Sequence, residues 1–484
     1  MKRPNKTLDR NGANPMKALL EPESVAVIGA SRQTGETSLN IVENLLGYDY
    51  GGRIYPVNPK AEELLGLKVY PSIKDLPEQV DLAVLSTPRH IVPGLIRECG
   101  EAGVRVVIVV GQGFRDAKDE EGEQLHQEIL QVVKETGVRV LGPNTIGSAN
   151  AFLNFSTSFA KNQLEKIPIG LACQTGIFLG RIHGQGLIGK GVDLGNAADI
   201  DFVDAMEYFE DDPQVKVIAL HIEGIPKGER FLRTAERVSK KKPIIALKTG
   251  KSGRAAQSAM SHTGSLVGRN ETWDAALKQA GIIRVQDIDE LMDVAKAFAF
   301  LPLMQGKRTA IITPSGGMGI ASLDALDRYG LEPSELSPET RDRLEEIAPS
   351  WFVIGNPLDI WPVMMVADAP WVDTYRMAIR ALLADPKIDG LILIGPTWME
   401  RISPGISEII VEASGDAKNK PVASWLYEGW LFDIDDVDIE LKVRSQGKGA
   451  IFPSPERAAR ALSRLAEYAE LSGKSSVSEQ SEPS

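Results

Sequence analysis

Residues 24–47 read SVAVIGASRQTGETSLNIVENLLG, and this stretch contains the repeating unit of the fold. SVAVIGA is an apolar, β-branched run of strand length. A Gly/Ser/Thr turn follows from Gly29 to Gly35, and SLNIVENLLG spaces its apolar residues as a helix does. The unit recurs down the chain. RIYPVNP (53–59) and VDLAVLSTP (80–88) read as strands, HIVPGLIRECGEAG (90–103) as a helix and VRVVIVVGQGF (104–114) as a buried strand. A helix around residues 122–136 leads to VRVLGPN (138–144), which closes the set. Strands alternating with helices predict a parallel, doubly wound α/β sheet.

A second set begins near Ala151. It comprises IPIGLACQTG and the helix expected after it, GKGVDLGNAADID, the helix DFVDAMEYFED, then VKVIALHIEGI, a helix and PIIALKTG. A third set opens at RTAIITPSGGMG (308–319), continues through DGLILIGPTW and KPVASWLYEG, and ends in the helix PERAARALSRLAEYAEL (455–471). The expectation is three tandem α/β domains, 16–147, 148–302 and 303–471, between polar tails at 1–15 and 472–484 that read as disordered. A length of 484 residues agrees with this count at roughly 150 residues per domain.

Composition narrows the function classes. The chain is 43% apolar and 25% charged, as in an ordinary globular protein. A net charge of −12 argues against nucleic acid as a partner but leaves room for an anionic ligand, because Gly-rich turns and helix N-termini bind anions locally. The two cysteines, Cys99 and Cys173, have no metal-binding spacing and are expected to be buried. Neither a secretory signal nor a membrane-spanning run is present, and the expected compartment is the cytoplasm.

The chemistry is expected in SAMSHTGSLVG, residues 258–268. His262 stands there among small residues, with Gly264 and Ser265 beside it. The pattern suits an imidazole that accepts a phosphoryl group, although on the loop alone a histidine at a tight turn is the favoured reading. His221 and Glu223 lie two residues apart in VKVIALHIEGI and so share a face. Glu223, at the strand's carboxyl end, is placed to steady a loop histidine, although taken alone it reads first as a strand-end carboxylate facing solvent. Gln174, Thr175 and Gly176 of CQTG form a candidate anion cradle. Gly29, Ala30 and Ser31, with Asn58, Pro59 and Lys60 at the next strand end, read either as a phosphate-binding pair of turns or as ordinary turns. Gly195, Asn196 and Asp199 read as a simple turn.

In order along the chain, SVAVIGAS, IYPVNPK, GPN (142–144), LGNAADID, IEGI, SHTGSLVG, GGMG and NPLDI (356–360) resemble the motifs of the NDP-forming acyl-CoA synthetases, relatives of succinyl-CoA synthetase. Eight motifs in order, spanning residues 16 to 471, make the resemblance specific. It implies a Rossmann-like CoA-binding domain followed by two flavodoxin-like, succinyl-CoA synthetase-like domains. It further implies that His262 is the phosphorylated histidine and Glu223 its partner. CoA is implied on Gly29, Ala30, Ser31, Asn58, Pro59, Lys60 and Asn144, and phosphate on Gln174, Thr175, Gly176, Gly264 and Ser265.

The implied reaction is acyl-CoA + ADP + phosphate ⇌ acid + CoA + ATP, through an acyl phosphate and a phosphohistidine. Nucleotide and Mg²⁺ are expected on a separate ATP-grasp β subunit, in an α2β2 assembly, and no metal site is expected on this chain. The chain departs from the family pattern at Thr145, Cys173 and His221 and in TPSGGMG. The competing expectations are a non-catalytic CoA-binding paralogue and, from the Rossmann-like start, a nicotinamide-dependent dehydrogenase.

Overall fold

The computed structural model describes residues 14–35, 38–161, 163–179, 188–251, 270–366, 370–402, 405–417, 419–427, 436–447 and 449–473. The expected tails lie outside these ranges except at their inner ends: Asn14 caps a helix, Pro15–Leu20, and residues 472–473 follow the last helix, Pro455–Leu471. The chain divides into two compact units, Met1–Gln286 and Asp287–Ser484.

The first unit holds two sheets. Strands β1 (Ser24–Ile28), β2 (Arg53–Val57), β3 (Leu82–Leu85), β4 (Val106–Val109) and β5 (Arg139–Leu141) pair in the order β2-β1-β3-β4-β5, all parallel. Their side chains alternate between two cores. Val25 and Val27 join Val42 and Leu45 on one face, while Ala26 and Ile28 join Ile96 and Ile129 on the other. Both faces are thus covered by helices, and β1, β3 and β4 are buried at every residue. Cys99 is fully buried here, as expected, and burial pushes its thiol up to about 12.

The second sheet contains β6 (Ser148–Asn150), β7 (Phe155–Ser156), β8 (Ile169–Cys173), β9 (Lys190–Asp193), β10 (Val217–Ile222), β11 (Ile244–Lys248) and β12 (Ile282–Val285). Its order is β12-β11-β10-β8-β9-β6-β7. The five strands from β8 to β12 are parallel and repeat the winding of the first sheet, and an antiparallel pair, β6 and β7, extends the β9 edge. Ser148 and Asn150 of β6 donate side-chain hydrogen bonds to the carbonyls of Leu19 and Leu20. The helix Pro15–Leu20 is therefore anchored on the second sheet. Lys190, at the start of β9, is 1% exposed and pairs with Asp212 (2.6 Å) and Glu21 (3.0 Å).

The second unit carries the third sheet: β13 (Arg308–Thr313), β14 (Glu332–Pro333), β15 (Leu358–Asp359), β16 (Gly390–Pro396), β17 (Val422–Tyr427) and β18 (Ala450–Phe452). The order is β14-β13-β16-β17-β18, with β15 also on β13, all parallel. The helix Ile288–Phe300 packs in this unit, where Asp293 pairs with Arg457 and Arg460. The second compact unit starts at Asp287.

With the β6–β7 pair and the short β15 set aside, all three sheets wind as 2-1-3-4-5. In such sheets the crevice opens at the carboxyl ends of the strands where the winding reverses, here at β1/β3, β8/β10 and β13/β16. Gly29 sits at the first reversal with φ +81°, and a Cβ there would lie 2.3 Å from the Ser86 carbonyl oxygen. The first two sheets are joined at their carboxyl ends. The N–H groups of Asn196, Ala198 and Ile200 donate to the carbonyls of Pro143, Gly142 and Val140 at 2.9, 3.0 and 3.1 Å. Gly195 permits this approach: its φ is +51°, and a Cβ would stand 2.4 Å from the carbonyl oxygens of Pro143 and Asn144. Gly195→Ala is accordingly expected to destabilise the first unit by roughly 2 kcal/mol or more, read as a lower urea midpoint.

Candidate active site

The two expected CoA turns meet. Asn58, at the end of β2, donates through Nδ2 to the Ala30 carbonyl (3.0 Å), and its Oδ1 accepts the Lys60 N–H (2.9 Å). One side chain therefore fixes both Gly29–Ser31 and Asn58–Lys60. Ser31 Oγ accepts the Gln33 N–H (3.1 Å), and Asn40 donates to the Ser31 carbonyl (3.1 Å) while capping the helix Ile41–Gly47. Pro59 and Lys60 are exposed.

Asn144 lies at the other end of the same sheet edge, after β5, held with φ +61° by its N–H bond to the Gly111 carbonyl (2.9 Å). There it joins the expected phosphate residues. A cavity of about 450 Å³ opens between the carboxyl ends of β4 and β5 in the first sheet and β8 and β9 in the second. Gly111, Gln112, Asn144 and Thr145 line it from the first sheet. Gln174, Thr175, Gly176, Asp193 and Asn196 line it from the second.

Gln174 bridges the β8/β10 reversal. Its Oε1 accepts the N–H groups of Glu223 (2.7 Å) and Gly224 (3.0 Å), which fixes the turn carrying the Glu223 carboxylate. The same turn is held from β11 by Lys248, whose ammonium donates to the Glu223 carbonyl (3.1 Å) and lies 5.2 Å from the Trp273 ring centroid. Lys248 is 2% exposed, and burial, helped by the Arg284 charge, brings its ammonium down to about 8.

His262, Gly264 and Ser265 lie outside the described residues. The helix expected after CQTG begins within them as one 3-10 turn, Gly176–Leu179, and residues 180–187 lie outside.

Asp193 and Thr145 complete the cavity floor. Asp193 is 2% exposed at the end of β9. Its Oδ2 accepts the Ile146 N–H (2.9 Å) and its Oδ1 the Gly195 N–H (3.2 Å). Burial raises its carboxyl to about 6, against the lowering effect of those N–H groups, and the Glu223 charge adds to the rise. The Thr145 hydroxyl donates to the Asp193 carbonyl and accepts the Gly147 N–H (2.9 Å). Sequence reasoning passed over Asp193. The one available signal was an acidic residue ending the strand GVD. Asn196, read as part of a simple turn, also reaches the cavity while its amide donates to Asp116 (2.7 Å). Asp199 ties the sheets together, accepting from Arg139 Nε (2.8 Å) and the Val140 N–H (2.9 Å).

Three family models match successive stretches of the chain. The CoA binding domain matches residues 23–151, the succinyl-CoA ligase like flavodoxin domain residues 167–298 and the Ligase-CoA domain residues 309–432. The α subunit of acetate–CoA ligase [ADP-forming] II from Pyrococcus furiosus is 38% identical over 417 residues, 85% of this chain and 89% of that one. The chain belongs to the ADP-forming acetate–CoA ligase family. Acetate–CoA ligase [ADP-forming] II of Archaeoglobus fulgidus is also 38% identical, across 80% of this chain, but the match spans only 58% of that longer protein. Among solved structures, the Ca. Korarchaeum cryptofilum dinucleotide-forming acetyl-coenzyme A synthetase 1, in complex with phosphate and ADP, superposes with a TM-score of 0.82. It shares 32% identity, over 96% of this chain and 98% of that one.

Within this ligase family chain, the departures from the family pattern have structural partners. Thr145 clamps Asp193. Cys173 is fully buried, and burial pushes its thiol well up. His221 stacks on Phe178 with ring centroids 4.6 Å apart, and its Nε2 shares a hydrogen bond with Thr249 Oγ1 (3.2 Å). Burial, helped by the Lys248 charge, lowers His221 from 6.5 to about 4. A buried histidine with a lowered value favours the folded state when neutral. Its contribution is full above pH 6.5 and is lost as pH falls from 6.5 to 4, at most about 3 kcal/mol. His221→Phe is expected to flatten that part of the stability–pH curve, measured by urea unfolding between pH 7 and 4.5.

Proposed function

We propose that this chain is the α subunit of an ADP-forming acyl-CoA synthetase, and that the cavity between the first two sheets is where acyl transfer to phosphate takes place. The observation that carries this reading is the Gln174 bridge: one side chain fixes the Glu223 turn and lines the same cavity as Asn144.

CoA binds across the carboxyl edge of the first sheet. Gly29–Ser31 and Asn58–Lys60 take the nucleotide end, and Lys60 offers a positive charge to phosphate. The thioester end reaches Asn144. From β1 to β5 is three strand spacings, about 14 Å, a span that an extended pantetheine arm bridges. Phosphate is held by the backbone N–H groups and side chains of Gln174, Thr175 and Gly176, with Gly264 and Ser265 from SHTGSLVG. It attacks the thioester carbonyl and releases CoA. His262 then takes the phosphoryl group from the acyl phosphate. Glu223 stabilises the imidazolium and orients the ring, a role in which a carboxylate exceeds an amide.

ADP and Mg²⁺ are assigned to an ATP-grasp β subunit in an α2β2 assembly. Among the described residues no three His, Cys, Asp or Glu side chains gather as a cation site, and no helix is long and apolar enough to cross a membrane. We assign the assembly to the cytoplasm.

His262→Ala is expected to abolish turnover while CoA affinity, measured by calorimetry, stays within about threefold, roughly 0.7 kcal/mol. Loss of both together would contradict the separation of the CoA turns from the histidine. Intact turnover in the variant would remove the phosphohistidine step and favour a chain that only binds CoA. Glu223→Gln is expected to lower the phosphoenzyme yield roughly tenfold, equivalent to about 1.4 kcal/mol of lost imidazolium stabilisation. An unchanged yield would reject that role for Glu223.

A further inference from the structure

Acyl transfer from a thioester leaves sulfur with an electron pair that must be protonated. Free CoA thiol holds its proton up to about pH 8.5. A thiolate released into a cavity already holding phosphate would face strong repulsion there. A proton donor in the cavity removes that obstacle. Of the described residues that line it, Asp193 alone carries an ionisable side chain; the others are amides, hydroxyls, glycines and apolar groups.

Two further observations bear on Asp193. Its carboxylate accepts the Ile146 and Gly195 N–H groups, with the Thr145 hydroxyl beside it, whereas a carboxylate offers about four acceptor positions. Those two N–H groups also fix its orientation from both sheets. Burial keeps the proton on this carboxyl to a higher pH than on an ordinary aspartate, with Glu223 adding to the effect. A group that holds and releases a proton near working pH is what general acid–base catalysis requires.

We infer that Asp193 is the catalytic acid that protonates the departing CoA sulfur, and the base that takes the thiol proton in the reverse direction. This rests on the acyl-CoA synthetase reading given above. Hydrogenphosphate attacks the carbonyl carbon through one oxygen, so a C–O bond forms and the C–S bond breaks. The sulfur takes its proton from the Asp193 carboxyl and leaves as CoA thiol. The acyl phosphate monoanion just formed gives its remaining P–OH proton to the Asp193 carboxylate. The carboxyl is thereby restored, and the sum is acyl-CoA + hydrogenphosphate → acyl phosphate dianion + CoA. Phosphoryl transfer to His262 breaks no C–S bond and makes no call on Asp193.

That separation supplies the test. The full chain is phosphorylated in two arms, from acetyl-CoA plus inorganic phosphate and from acetyl phosphate, and the initial rate of histidine labelling is measured in each. Asp193→Asn is expected to slow the acetyl-CoA arm on the order of a hundredfold, in the usual range for a lost general acid. The acetyl phosphate arm should stay within about threefold of wild type. Asp193→Ser, a smaller replacement without an ionisable proton, is expected to behave the same way.

Equal losses in both arms in both variants would overturn the assignment in favour of a purely structural carboxylate. Unchanged rates in both arms would overturn it outright. A wild type silent in both arms even when an ATP-grasp subunit is supplied would remove the synthetase reading, and the assignment with it. A wild type labelled in both arms with insensitive variants would remove the assignment alone.

Discussion

Everything in the first unit depends on the seam where the 194–200 turn lies against residues 140–147. Three backbone N–H groups donate across it, and Gly195 brings the two segments to a distance that a Cβ would forbid. Two sheets that each wind as 2-1-3-4-5 would otherwise present separate crevices. Because the seam joins their carboxyl edges, one cavity opens onto both. The Arg139–Asp199 pair and the Asp193 carboxylate reinforce the same junction with side chains. Each such bond is worth about 1 kcal/mol, rising to 1.5–3 when one partner is charged, so the seam is stable as a set rather than through one contact.

The chemistry follows from what the seam gathers. The polar groups around the cavity are engaged by the backbone: Gln174 by the Glu223 turn, Asp193 by Ile146 and Gly195, and Thr145 by Asp193 and Gly147. Groups held in this way lose little entropy when a ligand arrives, which is the physical content of preorganisation. Behind them stand His221 and Lys248, both buried at the ends of β10 and β11. Burial favours the neutral form of each. Lys248 supports the Glu223 turn through the Glu223 carbonyl, while His221 packs on Phe178 and meets Thr249.

The layered architecture could be read from short-range patterns. SVAVIGA, VRVVIVV and IPIGLACQTG announce buried parallel strands through β-branching and length, and Gly29 marks a turn that needs a positive φ. The β6–β7 hairpin could not be read this way. Its strands have three and two residues, and its polar Ser148 and Asn150 are buried because the helix Pro15–Leu20 supplies carbonyl partners about 130 positions away. The helix Ile288–Phe300 has the periodicity of either neighbour, and long-range ion pairs of Asp293 with Arg457 and Arg460, Glu290 with Arg464 and Lys296 with Glu440 assign it to the second unit. At the site, CQTG and IEGI were each visible as turns, but their union through Gln174 Oε1 depends on strand order, which local pattern does not encode. Asp193 was hidden for the same reason: its partners, Ile146 and Thr145, belong to the end of another sheet.

The central claim is that this cavity passes a phosphoryl group from an acyl phosphate to the histidine of SHTGSLVG. The most direct measurement is incubation of the full chain with labelled phosphate and a panel of acyl-CoAs, followed by mapping of any acid-labile label. The account predicts label on His262 with at least one acyl-CoA and none with phosphate alone. Label at another residue, or none with any acyl-CoA even when an ATP-grasp subunit is supplied, would contradict it.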